Sequence, residues 1–469
     1  MKRLYLKTLL SNNLQIWFIT LLFVVSCNIF GSNSDNENVD KRGEWSDPQL
    51  FYLAPDTSEI LRFDVTVYND NINVATWRRQ FSNNQFLDYS QILMIRGQIG
   101  GEANIQELTS KSIPSENPLI LRDNVNTSHM LWGDRRQDPD FEQWEVSSRS
   151  QLTNFSTNVV YTRYNGTGFE PPVSIYEGNL STFGVGDIGF PLQLVEAEDR
   201  RLHTVFKADS MARTTDTMGD SVTAFIPRLV YMNRSREGAW SEPRFLFINY
   251  KNNPNSLSGG DPVIAAPTTN RLVVAFLSSV GGINDILTIT SDDGGQTWSE
   301  AQLLFSSERE RSLFLTMSEA AGGRLHLVWA RVIGNRALPE EMWHSYSEDA
   351  GRTWSQPASF FTLRSPTFTP EGSPEPAGTI ISDYDILVDE SERVHWAGIE
   401  VFFGDSLRNK IHYTTWDPGT KTWEESSLFE FSTEPRQVNL TFDITSQRLY
   451  LFWEERLEKT VFYSVKSVR

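Results

Sequence analysis

The chain has a single cysteine in 469 residues, Cys27, so no disulfide can form within it. Its six histidines are scattered without metal-site spacing, and neither a Gly-rich phosphate loop nor a Gly-x-Ser-x-Gly elbow occurs. No metal and no cofactor is expected. Positive charge is scarce as well: 42 Lys and Arg against 60 Asp and Glu give a net charge of −18. So acidic a surface repels a phosphate backbone, which excludes nucleic acid as a partner. The N-terminal apolar stretch, Leu14 to Val25, falls short of the about 20 residues that a comfortable membrane span needs.

Lys2, Arg3 and Lys7 precede that stretch and Ser26-Cys27 ends it, the pattern of a secretory signal over residues 1–26. Val24-Val25-Ser26-Cys27 resembles the bacterial lipobox, in which the cysteine is lipidated and becomes the mature N-terminus. Removal of Lys2, Arg3 and Lys7 takes the net charge from −18 to −21. Residues 27–43 are polar and poor in core formers, which suits a flexible tether. Six Asn-x-Ser/Thr triplets, at Asn126, Asn154, Asn165, Asn179, Asn233 and Asn439, are a by-product of an Asn-, Ser- and Thr-rich composition.

Beyond residue 43 a seven-residue phrase returns: NINVATW (71–77), NTSHMLW (126–132), RRLHTVF (200–206), NRLVVAF (270–276), GRLHLVW (323–329), ERVHWAG (392–398) and QRLYLFW (447–453). Each phrase is an apolar β-branched or aromatic run after a polar turn, and six of the seven end on Trp or Phe. Around each the order is strand, tight turn, phrase, loop, strand, turn and often a Trp-Ser-x-Pro strand. Four antiparallel strands per repeat make a propeller blade, whose faces are buried only by neighbouring blades. The terminal aromatic is expected to wedge between blades. The last segment, TVFYSVKS (460–467), reads as a third strand without a fourth. EWSDPQLFYL (44–53) resembles the fourth strand AWSEPRFLFI (239–248), so the N-terminal strand is expected to complete blade seven of an all-β propeller over residues 44–469.

SDDGGQTW (Ser291, Asp293, Gly295, Trp298) and SEDAGRTW (Ser347, Asp349, Gly351, Trp354) both fit Ser-x-Asp-x-Gly-x-Thr-Trp. The Ser and Asp can bond turn amides, the Gly can take positive φ, and the Trp can fold back on the blade. These segments resemble the Asp boxes of sialidase-like propellers, with degenerate copies in NRSREGAW (233–240) and TWDPGTKTW (415–423). The resemblance implies a structural role for the boxes, and six blades as the alternative count.

Turns between strands 1 and 2 and between 3 and 4 share one end of such a ring, and here they are short. The long connections, 133–157, 207–223, 249–262, 330–341 and 363–380, gather at the other end, where a site belongs. Within them Phe141 and Trp144 stand among Asp134, Arg135 and Arg136, aromatic and charged groups of the kind that bind sugars. The polar segment 208–224 reads as a lid or a floppy excursion. The sialidase resemblance implies an arginine triad, a Tyr nucleophile and an Asp acid/base. Arg62 stands where the family carries its first arginine, although Phe63-Asp64 replaces the usual Ile-Pro, and Asp88 stands where the acid/base belongs. Asp261 replaces an expected Glu, Ser278 falls near the second arginine, and Arg311 offers a third. Val438 and Asn439 occupy the nucleophile's region, leaving Tyr384 of blade six as a substitute. The expectation is a lipid-anchored, extracytoplasmic propeller of the cell envelope, on the outer membrane or facing the periplasm, that recognises a glycan or other extracellular ligand. The alternatives are an exo-sialidase-type glycoside hydrolase and an envelope scaffold for protein partners.

Overall fold

Each returning phrase forms the second strand of a four-stranded antiparallel sheet. The computed structural model describes residues 44–55, 58–82, 85–110, 115–137, 155–180, 192–215, 221–246, 262–280, 283–306, 311–332, 339, 341–363, 379–402, 409–430, 434–456 and 458–468. The signal, Cys27 and the tether lie outside the described residues.

A short strand β1 (Gln49–Leu53) leads. Blade 1 is β2 (Ser58–Tyr68), β3 (Asn71–Ser82), β4 (Gln85–Gln98) and β5 (Asn104–Glu107). Blade 2 is β6 (Ser115–Arg122), β7 (Ser128–Gln137), β8 (Phe155–Tyr164) and β9 (Val173–Leu180). Blade 3 is β10 (Leu192–Glu196), β11 (Leu202–Thr215), β12 (Ser221–Arg234) and β13 (Arg244–Leu246). Blade 4 is β14 (Val263–Ala265), β15 (Leu272–Val280), β16 (Ile283–Ser291) and β17 (Gln302–Phe305). Blade 5 is β18 (Arg311–Glu319), β19 (Leu325–Val332), β20 (Glu341–Ser347) and β21 (Ala358–Thr362). Blade 6 is β22 (Thr379–Val388), β23 (Val394–Phe402), β24 (Lys410–Asp417), a two-residue β25 (Thr422–Trp423) and β26 (Ser427–Glu430). Blade 7 is β27 (Pro435–Asp443), β28 (Arg448–Glu455) and β29 (Thr460–Ser467), and its fourth strand is β1, paired from Gln49 opposite Tyr463 to Leu53 opposite Thr460. The protein is therefore a seven-bladed β-propeller closed by its N-terminal strand, not a six-bladed one.

Seven apolar layers, one per pair of neighbouring blades, hold the ring together. The terminal aromatics Trp132, Phe206, Phe276, Trp329 and Trp453 are buried in them, and truncating any one to Ala would cost about 3–5 kcal/mol. Blade 6 ends its phrase on Gly398 because Trp396 lies over that position: a Cβ there would collide with the indole.

A second aromatic layer repeats near the rim. A histidine of strand 2 stacks on a tyrosine of strand 3 with Nδ1 and Oη 2.7 Å apart, in His129–Tyr161, His203–Tyr231 and His395–Tyr413. A Trp from the next blade's fourth-strand region packs edge-on against each tyrosine, at 5.2 Å for Trp240, 5.0 Å for Trp298 and 5.0 Å for Trp45. Trp45 thus does for the closing blade what Trp298 does within the chain.

Within the segment 208–224, residues 208–215 and 221–224 are strand and not a floppy excursion. Their backbone continues β11 and β12 in unbroken register to Thr215 opposite Ser221, and Ala208 and Asp209 pair with Leu180 and Asn179 of β9, which joins blades 2 and 3.

Candidate functional site

The first strands of the blades, β2, β6, β10, β14, β18, β22 and β27, contact one another in sequence around the axis. Five carry a β-bulge near their start: between Ile60 and Arg62, Glu116 and Leu119, Leu313 and Thr316, Ile381 and Asp383, and Pro435 and Gln437. A bulge redirects a side chain that strict alternation would bury. In β2, Ile60 and Phe63 are both fully buried although three residues apart, and Leu61 is the surplus residue. All five bulges lie at the long-loop end of the ring.

Three surplus residues, Leu61, Ser382 and Arg436, line a cleft of about 420 Å³ at that end, between blades 6, 7 and 1. Trp77 and Arg79 of β3, Asp383, Asn409, Glu434, Gln437 and Arg456 complete much of its wall. The charged groups engage one another. Arg436 pairs with Glu59 at 3.1 Å and donates to the Leu61 carbonyl at 3.5 Å, and Arg456 lies 3.9 Å from Glu434. Gln437 holds blade 7 to blade 1, accepting from Phe63 N at 3.0 Å and donating to Phe63 O at 2.7 Å. The neutral donors Trp77 Nε1, Ser382 Oγ and Asn409 Nδ2 are buried without a hydrogen-bond partner among the described residues.

Glu454 of β28, 1% exposed, lies next to this wall: burial pushes its carboxyl up to about 8, against the opposing charges of Arg436 and Arg456. Burial also raises Asp383 to about 6 despite the charge of Arg62, Asp385 to about 7, and Asp64 to about 6. These aspartates lace the inner strands together. Asp383 accepts from Val438 N at 2.9 Å, Asp385 from Leu440 N at 2.8 Å, and Asp64 from Ile120 N at 2.8 Å.

The residues singled out from sequence are only partly brought together. Arg62 lies in β2, where its charge acts on both Asp64 and Asp383. Arg311 opens β18 at the same end of the ring, with its side chain exposed. Tyr384 packs between blades 5 and 6, where its hydroxyl donates to the Phe314 carbonyl. Asn439 donates to Asp64 at 3.0 Å, Val438 is core, and Ser278 is fully buried. Asp88 lies within β4, and Asp261 lies outside the described residues. Asp134 is not a loop residue: β7 runs on to Gln137, and buried Asp134 accepts from Ser115 Oγ at 2.7 Å and Trp132 Nε1 at 2.9 Å. Arg135 and Arg136 follow it in β7, and Phe141 and Trp144 lie outside the described residues. Sequence reasoning passed over Glu59, Arg436 and Glu454. The spacing of three between Ile60 and Phe63 was the readable sign of the bulge, and Glu454 follows the last phrase directly.

At the opposite end the two Ser-x-Asp-x-Gly-x-Thr-Trp turns share one geometry. Ser291 Oγ donates to Asp293 and accepts from Gly295 N, both at 2.8 Å, and Asp293 accepts from Thr297 N at 2.8 Å. Ser347, Asp349, Gly351 and Thr353 repeat these three bonds at the same distances. Gly295, at φ 89°, lies against Tyr231, and Trp298 packs on the same ring, so the turn grips the preceding blade. Gly351, at φ 78°, and Trp354 approach Val273 in the same way. No group of three or more His, Cys, Asp or Glu among the described residues is placed to hold a metal ion.

No protein-family model and no curated protein matches the chain. Solved structures do. A protein of unknown function from Dyadobacter fermentans DSM 18053 is 10% identical, with a TM-score of 0.49 over 91% of this chain and 99% of that one. An ulvan lyase of polysaccharide lyase family PL25, bound to -[GlcA(1-4)Rha3S]-, is 10% identical with a TM-score of 0.51 over 90% of this chain and 96% of that one. The NanB sialidase from Streptococcus pneumoniae is 8% identical with a TM-score of 0.42 over 90% and 94%. These likenesses are of fold, and glycan-active enzymes are among the proteins that share it.

Proposed function

We propose that the chain is a carbohydrate-recognising propeller, held outside the cytoplasm by a lipid on Cys27, with its ligand in the cleft between blades 6, 7 and 1. The observation that carries this reading is the cleft itself. It sets an aromatic face, Trp77, among hydrogen-bonding groups positioned by β-bulges, at the end of the ring where long connections converge. A sugar presents C–H faces to such a ring and hydroxyls to such polar groups. The acidic chain has no nucleic-acid partner in this reading.

An array of immobilised glycans probed with the full chain tests it. Binding to at least one glycan, reduced about tenfold by Arg436→Ala through loss of the Glu59 pair and its wall, is the expected result. A blank array with folded protein rejects the reading and leaves a scaffold for protein partners. Palmitate labelling is expected to disappear in Cys27→Ser, and equal labelling would refute the anchor.

Glycoside hydrolysis is the second reading, favoured by one observation. Two carboxyls of different acidity stand at this end of the ring: Asp383 of the cleft lining, raised by burial to about 6, and Glu454, buried behind the wall and raised to about 8. That is an acid and a base held at different pKa values. Turnover of fluorogenic glycosides, abolished in Glu454→Gln, would establish it; no turnover of any glycoside that binds leaves recognition alone.

A further inference from the structure

We infer that the cleft takes an uncharged saccharide and rejects sialylated, uronate-bearing or sulfated ones; this rests on the carbohydrate reading above. The argument turns on which groups in the cleft already have partners. Its charged lining is balanced, with Arg79, Arg436 and Arg456 against Glu59, Asp383 and Glu434. Arg436 is committed to Glu59 and to a main-chain carbonyl, and Arg456 lies beside Glu434. An anionic ligand would have to displace one of these carboxylates and leave it beside its own charge, with no net gain in opposite-charge contacts.

The groups left wanting are neutral. Trp77 Nε1, Ser382 Oγ and Asn409 Nδ2 are donors without acceptors among the described residues, and Asn409 is 1% exposed. Buried donors are nearly always satisfied in native proteins, and acceptor oxygens entering the cleft would meet these three at its wall. Ring and hydroxyl oxygens of a neutral sugar supply them, and the volume of about 420 Å³ holds roughly two sugar rings.

Calorimetry with the full chain tests this, using cellotetraose, mannotetraose and arabinotetraose against sialyllactose and tetragalacturonate, at about 50 and about 500 mM salt. At least one neutral oligosaccharide is expected to bind, with affinity changing less than about twofold between the two salts. Asn409→Asp keeps the oxygen that holds Phe402 N at 3.0 Å but removes the amide donor. It and Trp77→Phe are each expected to weaken binding about fivefold to tenfold in protein shown to be folded by its melting transition. Binding of the acidic sugars alone, weakening with salt, overturns this inference and spares the carbohydrate reading. Binding of none of the probes by folded protein counts against both.

Discussion

Aspartates at the two ends of the ring behave in opposite ways. On the short-turn face Asp199, Asp293, Asp349, Asp389, Asp417 and Asp443 all titrate below the usual aspartate range. Thr297 Oγ1 and main-chain donors hold Asp293 down at about 2; at Asp349 desolvation is the largest single influence and works the other way, but the donors Thr353, Ser347 and Arg352 together outweigh it, again giving about 2. Along the channel, Asp64, Asp383 and Asp385 are raised because burial outweighs the few donors each receives. A carboxylate saturated with donors is a finished piece of structure. One that accepts main-chain donors yet is fully desolvated keeps its proton to a higher pH, and three of these line the inner strands beside the cleft.

The sharpest way to break this contrast is Gly295→Ala. The turn needs φ 89° and the new Cβ would strike Tyr231, so a loss of about 3 kcal/mol or more is expected in urea denaturation. A loss under about 1 kcal/mol would show the short-turn face to be less rigid than its hydrogen bonds imply. Trp45→Ala comes next. It removes a half-buried ring set edge-on against Tyr413 and Phe429, and about 2–3 kcal/mol should go, with blade 7 exchanging its amide protons first.

The pH dependence sharpens the comparison from the other side. A carboxyl raised on folding binds its proton more tightly in the folded state, so stability falls as pH climbs from the unfolded carboxyl range to the folded pKa. For Glu454 at about 8, and for Asp385 and Glu319 at about 7, that fall extends past neutrality. Histidines depressed by burial, His203 to about 4 and His326 to about 3, contribute the reverse slope, but only below the ordinary histidine pKa of about 6.5. The urea midpoint should therefore drop from about pH 6.5 to about pH 8, and Glu454→Gln should flatten the upper part of that drop. A midpoint that rises over this interval would contradict the assigned burial. The smallest effect is expected from Arg352→Ala, which loses an exposed pair with Asp292 at 3.5 Å: a change within about 0.5 kcal/mol, since the turn is held by Ser347, Asp349 and Gly351.

Much of the fold was legible because it repeats. Seven phrases became seven second strands, and the likeness of EWSDPQLFYL to AWSEPRFLFI foretold both the closing strand and the place of Trp45. The mouth was harder to read because it is made by departures from repetition. Bulges break the two-residue period that identifies a strand, so Leu61, Ser382 and Arg436 gave no sign of facing the same space. The polar segment 208–224 reads as a loop since its residues are small and hydrophilic, yet cross-strand pairing runs along it as far as Thr215 opposite Ser221. Asp134 reads as a binding residue from its charged neighbours in sequence; in the structure it is buried at the end of β7 and accepts from Ser115 and Trp132.

Closure by the leading strand also sets an order of events. Gln49 bonds Tyr463 across 414 residues, and Ser46 bonds Ser464 across 418. Whatever blades form as the chain emerges, the strand synthesised first has no partner until the last one is complete. Closure joins the two distant ends of the chain, and a chain stopped short of Thr460 would leave β1 without the strand it pairs with.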